Sequence, residues 1–220
     1  MRTSLLTLAA TAALVVAGSA RAAIADVVPT AHNVVLLTGA ASDGADWHKV
    51  RDVLTRDGYA VTVVPAAGID LACDVARARA AIAAQDGPVV LVAYSGAGAA
   101  VSEAGNDPRV QGLVYIAAVV PDAGEAPAAG APRSDSNTIT GATWKTKPSV
   151  YLVAGRDAPL PVETQRSLAH RAGAIMVELS GTQPIYQSVP VTVAKVIEQG
   201  AGASGTQQAR ALAEAYARGR

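Results

Sequence analysis

Ser95 is the residue of this chain whose surroundings are best suited to chemistry. It lies in Val89-Val90-Leu91-Val92-Ala93-Tyr94-Ser95-Gly96-Ala97-Gly98-Ala99-Ala100, where an apolar run meets a turn of small residues and an Ala/Gly-rich helix start. A serine at the apex of a strand–turn–helix is lifted out of the sheet with its hydroxyl exposed. Ala93 and Ala97, on either side, are small enough to let the backbone turn sharply. A serine hydroxyl alone is a weak nucleophile. The remaining elements must therefore bring it a base, an acid that orients that base, and donors for developing negative charge.

The elements that would do so alternate along the chain. Asn33 to Leu37 is a buried-strand run ending in Thr38-Gly39, and Trp47, Val50 and Leu54 follow at helical spacing. Tyr59 to Val64 is a strand closed by Pro65, and Leu71, Val75, Ala78 and Ile82 mark an amphipathic helix stopped at Gly87. Strands are then expected at 89–94, 112–120, 150–154 and 174–179, with helices at about 162–172 and 190–199. This pattern predicts an α/β fold: a mostly parallel sheet of about six strands with helices on both faces. Sites in such sheets form at the carboxyl ends of strands. Thr38, Ser95, Asp122, Asp157 and Gln183 all follow strands and are expected at one edge.

The rest of the chain is simpler. Residues 1–25 read as a signal peptide, with Arg2, an apolar run from Leu5 to Val16, and small residues that permit cleavage after Ala22 or Ala25. That run is shorter than the ~20 residues a membrane span needs, so a periplasmic or secreted protein is expected, without a stable span. The body is residues 26–201, and 202–220 form a polar tail, helical or frayed, with a thin apolar face. Residues 121–148 are rich in Pro, Gly and Ala and read as a mobile loop without a core of its own. Formal net charge is zero, which gives no electrostatic footprint for nucleic acid. Cys73 is the single cysteine, so no internal disulfide forms; an inert, shielded thiol is the expectation, with a free thiol or an intermolecular bridge as alternatives.

Several segments, in order, resemble the small α/β-hydrolases related to plant hydroxynitrile lyases and methyl-ester esterases. Thr38-Gly39-Ala40-Ala41-Ser42-Asp43-Gly44-Ala45-Asp46-Trp47 is similar to that family's H-G-A-x-x-x-G-x-x-W, and Gln85 to Ser95 to its approach to G-H-S. Val114-Tyr115-Ile116-Ala117-Ala118, Pro121 to Glu125 and Trp144 to Ser149 extend the likeness, which covers roughly Val34 to Ala201. The resemblance implies Ser95 as nucleophile, Asp157 as the acid, and the Ala40 and Gly96 N–H groups as oxyanion donors, with no cofactor and no metal. Thr38, Tyr94 and Asp122 are the candidate binding residues.

Two departures stand out. The family's histidine after the last strand is replaced by Gln183, whose amide has no useful basicity near neutral pH. Of the three histidines, His32 precedes the first strand and His170 lies late in a helix, both away from Ser95; His48 begins a helix near the oxyanion loop and is the least improbable substitute, but it reads better as an exposed helix residue. The family's helical cap is also missing, since only the loop at 121–148 occupies its place. Two functions follow as expectations. One is a weakly active or non-catalytic protein that binds a small ligand, or a protein partner at the uncapped face. The other is a working hydrolase on small esters with a non-standard triad. A dinucleotide loop at Gly96-Ala97-Gly98 is disfavoured, because Val101 stands where its third glycine belongs.

Overall fold

The computed structural model describes residues 31–39, 42–65, 67, 70–126, 138–155, 160–180 and 184–202. Six strands, β1 (Asn33–Leu37), β2 (Ala60–Val64), β3 (Val89–Tyr94), β4 (Val110–Ile116), β5 (Ser149–Ala154) and β6 (Ile175–Leu179), form one sheet in the order β2-β1-β3-β4-β5-β6. Every pair is parallel. The central strands are buried on both faces, which is why they read as continuous apolar runs rather than alternating ones.

Helices cover both faces. On one lie α2 (Leu71–Ala83), α3 (Gly98–Ala104) and α4 (Val162–Arg171), whose Val75, Ile82, Val101 and Ala169 pack on Val35, Leu91 and Tyr151. On the other lie α1 (His48–Arg56), the short α5 (Ile185–Ser188) and α6 (Pro190–Ala201), with Leu54, Ile185 and Ile197 against Val34, Val92 and Leu152. The sheet direction puts the β1, β3, β5 and β6 carboxyl ends on a common edge.

Two sequence expectations need correction. The fourth strand ends at Ile116 rather than Val120, because Ala117 turns into positive φ (44°) while its N–H still reaches Leu152 O at 3.0 Å. Val119 N–H then donates to Ser95 O at 3.1 Å, so the apolar residues after Ile116 are buried as a turn against the strand-to-helix turn at Ser95.

The described limbs of the 121–148 segment are also not a free loop. Gly124 N–H donates to Ile139 O and Ile139 N–H to Glu125 O, which closes the base of the excursion. Ile139 is 1% exposed, and Trp144 is buried with its indole N–H on Pro121 O at 3.0 Å. Lys145 pairs with Asp122 and Arg171 with Glu125. Residues 127–137 lie outside the described residues.

Glu103 on α3 clamps one limb, accepting Thr140 N–H, Thr140 Oγ1–H and Gly141 N–H at 2.7–3.0 Å, with Arg79 3.6 Å away. Burial pushes its carboxyl pKa up, but the Thr140 and Gly141 hydrogen bonds outweigh that and hold it below the usual range. A depressed folded pKa contributes stability above the unfolded Glu value of about 4.3 and loses it as pH falls through the folded value. Glu103→Gln is therefore expected to unfold at lower temperature than wild type near neutral pH. The gap should narrow in acid, as followed by thermal unfolding across pH.

Candidate active site

The geometry at Ser95 follows from the sharp turn its neighbours permit. Ser95 has φ of +55°, one of two non-glycine residues with positive φ among those described, the other being Ala117. Such backbone costs of order 1–3 kcal/mol and persists where its surroundings over-determine it. Here β3 ends at Tyr94, a single 3-10 turn spans Ser95–Ala97, and α3 begins at once with Gly98. Gly98 passes so close to the end of β4 that a Cβ there would lie 1.8 Å from Val119 O. Gly39, after β1, presents bare backbone to the serine: its Cβ would lie 3.4 Å from Ser95 Cβ and 3.7 Å from Ser95 Oγ. Ser95 is half-buried and Gly96 is exposed.

The other candidates separate into three groups. Tyr94 is adjacent to the serine and half-buried, and burial, with the charge of Asp46 adding, pushes its phenol pKa up. Thr38 is fully buried and its hydroxyl donates to Ser42 O at 3.0 Å, so it braces the loop after β1. Asp122 comes six residues after the end of β4 and accepts from Lys145 Nζ and Ala123 N–H, engaged in pinning its own limb. Ala40, Asp157 and Gln183 lie outside the described residues. All three histidines are exposed: His32 beside Tyr59 before β1, His48 at the start of α1 with Nδ1 near Ala45 O, and His170 late in α4.

One constellation has no counterpart in the sequence reading. Tyr186, 3% exposed in α5, stacks on Trp47 with centroids 4.0 Å apart and meets Tyr94 edge-on at 5.1 Å. Its hydroxyl donates to Asp46 Oδ2 at 3.0 Å, and Asp46 Oδ1 accepts from Ser42 Oγ at 3.3 Å. Burial first, then the Asp46 hydrogen bond and charge, drive the Tyr186 phenol pKa far up, so the ring stays neutral and donates. Asp46 is held below the usual carboxylate range: burial opposes this, and a backbone bond with those from Tyr186 and Ser42 outweighs it. The segments after β1 and β6 and the last residue of β3 thus meet in one aromatic cluster beside the serine. The partners stand 140 residues apart, and no local pattern joins them. Tyr186→Phe keeps the ring packing and removes the donor at Asp46 Oδ2, leaving Ser42 on Oδ1, an expected loss of about 1–3 kcal/mol in denaturant unfolding.

No protein-family model matches the chain, and no curated protein matches its sequence. Solved structures do. A pyrethroid hydrolase from Sphingobium faniae superimposes with a TM-score of 0.61 at 20% identity, covering 84% of this chain and 100% of that one. A methylesterase from Arabidopsis gives 0.59 at 16%, over 74% of this chain and 95% of its own. The fold is that of the α/β-hydrolases. Ser95, at positive φ, stands at the apex of the sharp strand-to-helix turn after β3. Between β4 and β5 the described residues contribute one 3-10 turn, Thr143–Lys145, and no helix.

Proposed function

We propose that this is an exported protein of the α/β-hydrolase fold that keeps the serine elbow and lacks its base. It binds a small ligand or a protein partner at the open strand ends and turns over esters weakly or not at all. The observation that carries this reading is the pairing of a serine turn held at positive φ with three histidines that are all exposed, before β1, at the start of α1 and late in α4. Gln183 occupies the base position of the resembling family, and Asp157 then has no imidazole to orient. In a serine hydrolase, loss of the histidine removes on the order of 10⁶ in turnover, leaving roughly 10³–10⁴ over water from the oxyanion hole and binding. Export rests on the apolar run between Arg2 and the small residues before Asp26.

The strain stored at Ser95 favours a second reading, a serine hydrolase on small esters in which Gln183 or a group outside the protein orients Ser95 or water. Exposure to a fluorophosphonate probe separates the two. The first reading expects no stoichiometric labelling beyond that of Ser95→Ala; rapid labelling of wild type that vanishes in Ser95→Ala establishes the second.

A further inference from the structure

We propose that β2 is a dimer interface, pairing antiparallel with β2 of a second copy about a two-fold axis at Thr62. The inference rests on the sheet edge and is independent of what Ser95 does. β2 is an outermost strand, and among the described residues no strand pairs with its free side. Its sequence, Ala60-Val61-Thr62-Val63-Val64, has no charge and no proline, and its register with β1 runs without a bulge. Those are the devices by which edge strands avoid pairing. The opposite edge has one: β6 carries Glu178, held by Arg166 at 2.8–3.1 Å.

The backbone groups of β2 that face away from β1 are self-complementary. Ala60 N–H donates to His32 O at 2.9 Å and Val64 O accepts from Thr38 N–H at 3.1 Å, so the even-numbered residues face β1. The alternation of a strand turns the N–H and C=O of Val61 and Val63 outward. Across a two-fold at Thr62, Val61 of one copy opposes Val63 of the other, and these groups close about four hydrogen bonds with none left over. Thr62 then faces its own copy as a close, non-hydrogen-bonded pair on the α2 side, where Gln85 Nε2 lies 3.3 Å from Thr62 Oγ1. Val61 and Val63 pack on the opposite, α1 side of the sheet, so their side chains already have a core to support them.

A second copy fits better than a foreign peptide. Strand-addition sites that select peptides read side chains in pockets beside the edge. The groove described here lies between α2 and α3, lined by Leu71, Val75, Arg79 and Glu103, on the side of α2 that faces α3. An uncharged edge also meets its own copy without like-charge repulsion. The dimer joins two six-stranded sheets into one. The strand that ends at Ser95, β3, lies two strands in from this edge and takes no part in the pairing.

Sedimentation and light scattering test this on the full chain. Wild type is expected at twice the mass of one chain at micromolar concentration. Thr62→Lys places two ammonium groups opposite each other and should weaken association by at least about tenfold. Thr62→Cys, in a Cys73→Ala background, should form a disulfide-linked dimer under mild oxidation, because the paired residues directly oppose each other at close range. The crosslink decides the matter should Thr62→Lys fail to fold. A monomer at all concentrations overturns the proposal, as does a dimer that persists in Thr62→Lys and does not crosslink through Thr62→Cys; either result means that the edge is covered by other segments of the chain or that association uses another face.

Discussion

Gln183→His raises turnover of a short-chain nitrophenyl ester by about 10²-fold over wild type, the lower end of what a positioned general base supplies. The gain requires Ser95 and disappears in the Ser95→Ala, Gln183→His double variant. It stops well short of ordinary esterase rates for a reason visible between β4 and β5. A cap excludes water and so strengthens every electrostatic interaction within the site. Here the described limbs turn back onto the body: Gly124 bonds Ile139, Trp144 bonds Pro121, and Glu103 holds Thr140 and Gly141. Nothing among these residues stands over Ser95 as a helical lid. Comparison of kcat/KM for the single and double variants checks the prediction. Ordinary esterase rates in Gln183→His alone would show that the missing cap matters little.

Gly98→Ala is expected to cost the most stability of any single change considered. Its Cβ would fall 1.8 Å from Val119 O and 2.9 Å from Val119 C, both backbone atoms that cannot rotate away. Relief requires the start of α3 to move away from the end of β4. Val119 N–H is bonded to Ser95 O, so the elbow would have to move with it. Overpacking of this severity costs upward of about 3 kcal/mol, a large part of the ~5–15 kcal/mol that holds a domain folded. For a chain of this size that corresponds to a melting-temperature loss of roughly 6–12 °C or more. Gly96→Ala, two residues earlier in the same turn, provides the control: its Cβ would meet nothing within 4 Å. Thermal unfolding by circular dichroism is expected to separate the two variants widely.

The sheet was legible because strands buried on both faces read as near-continuous apolar runs, and residues 34–37, 89–93 and 150–154 stand out as such. The elbow was legible because a sharp strand-to-helix turn demands small residues around its apex. The end of β4 was not, since Ala117 turns within an unbroken apolar stretch and its positive φ leaves no mark in composition. The anchoring of the 121–148 limbs was missed because it depends on isolated side chains, Ile139 and Trp144, and on Glu103 from another element. The Asp46–Tyr186 bond is a product of tertiary packing alone. Ala40, Asp157 and Gln183 lie outside the described residues, so their roles rest on their positions in the sequence.

Steady-state hydrolysis of a short-chain nitrophenyl ester by the purified protein, beside Ser95→Ala, is the most direct test that the elbow survives without a base. Equal, slow rates for the two proteins are the expected result. Turnover on the order of 10 s⁻¹, typical of enzymes, that is lost on replacing Ser95 would contradict it.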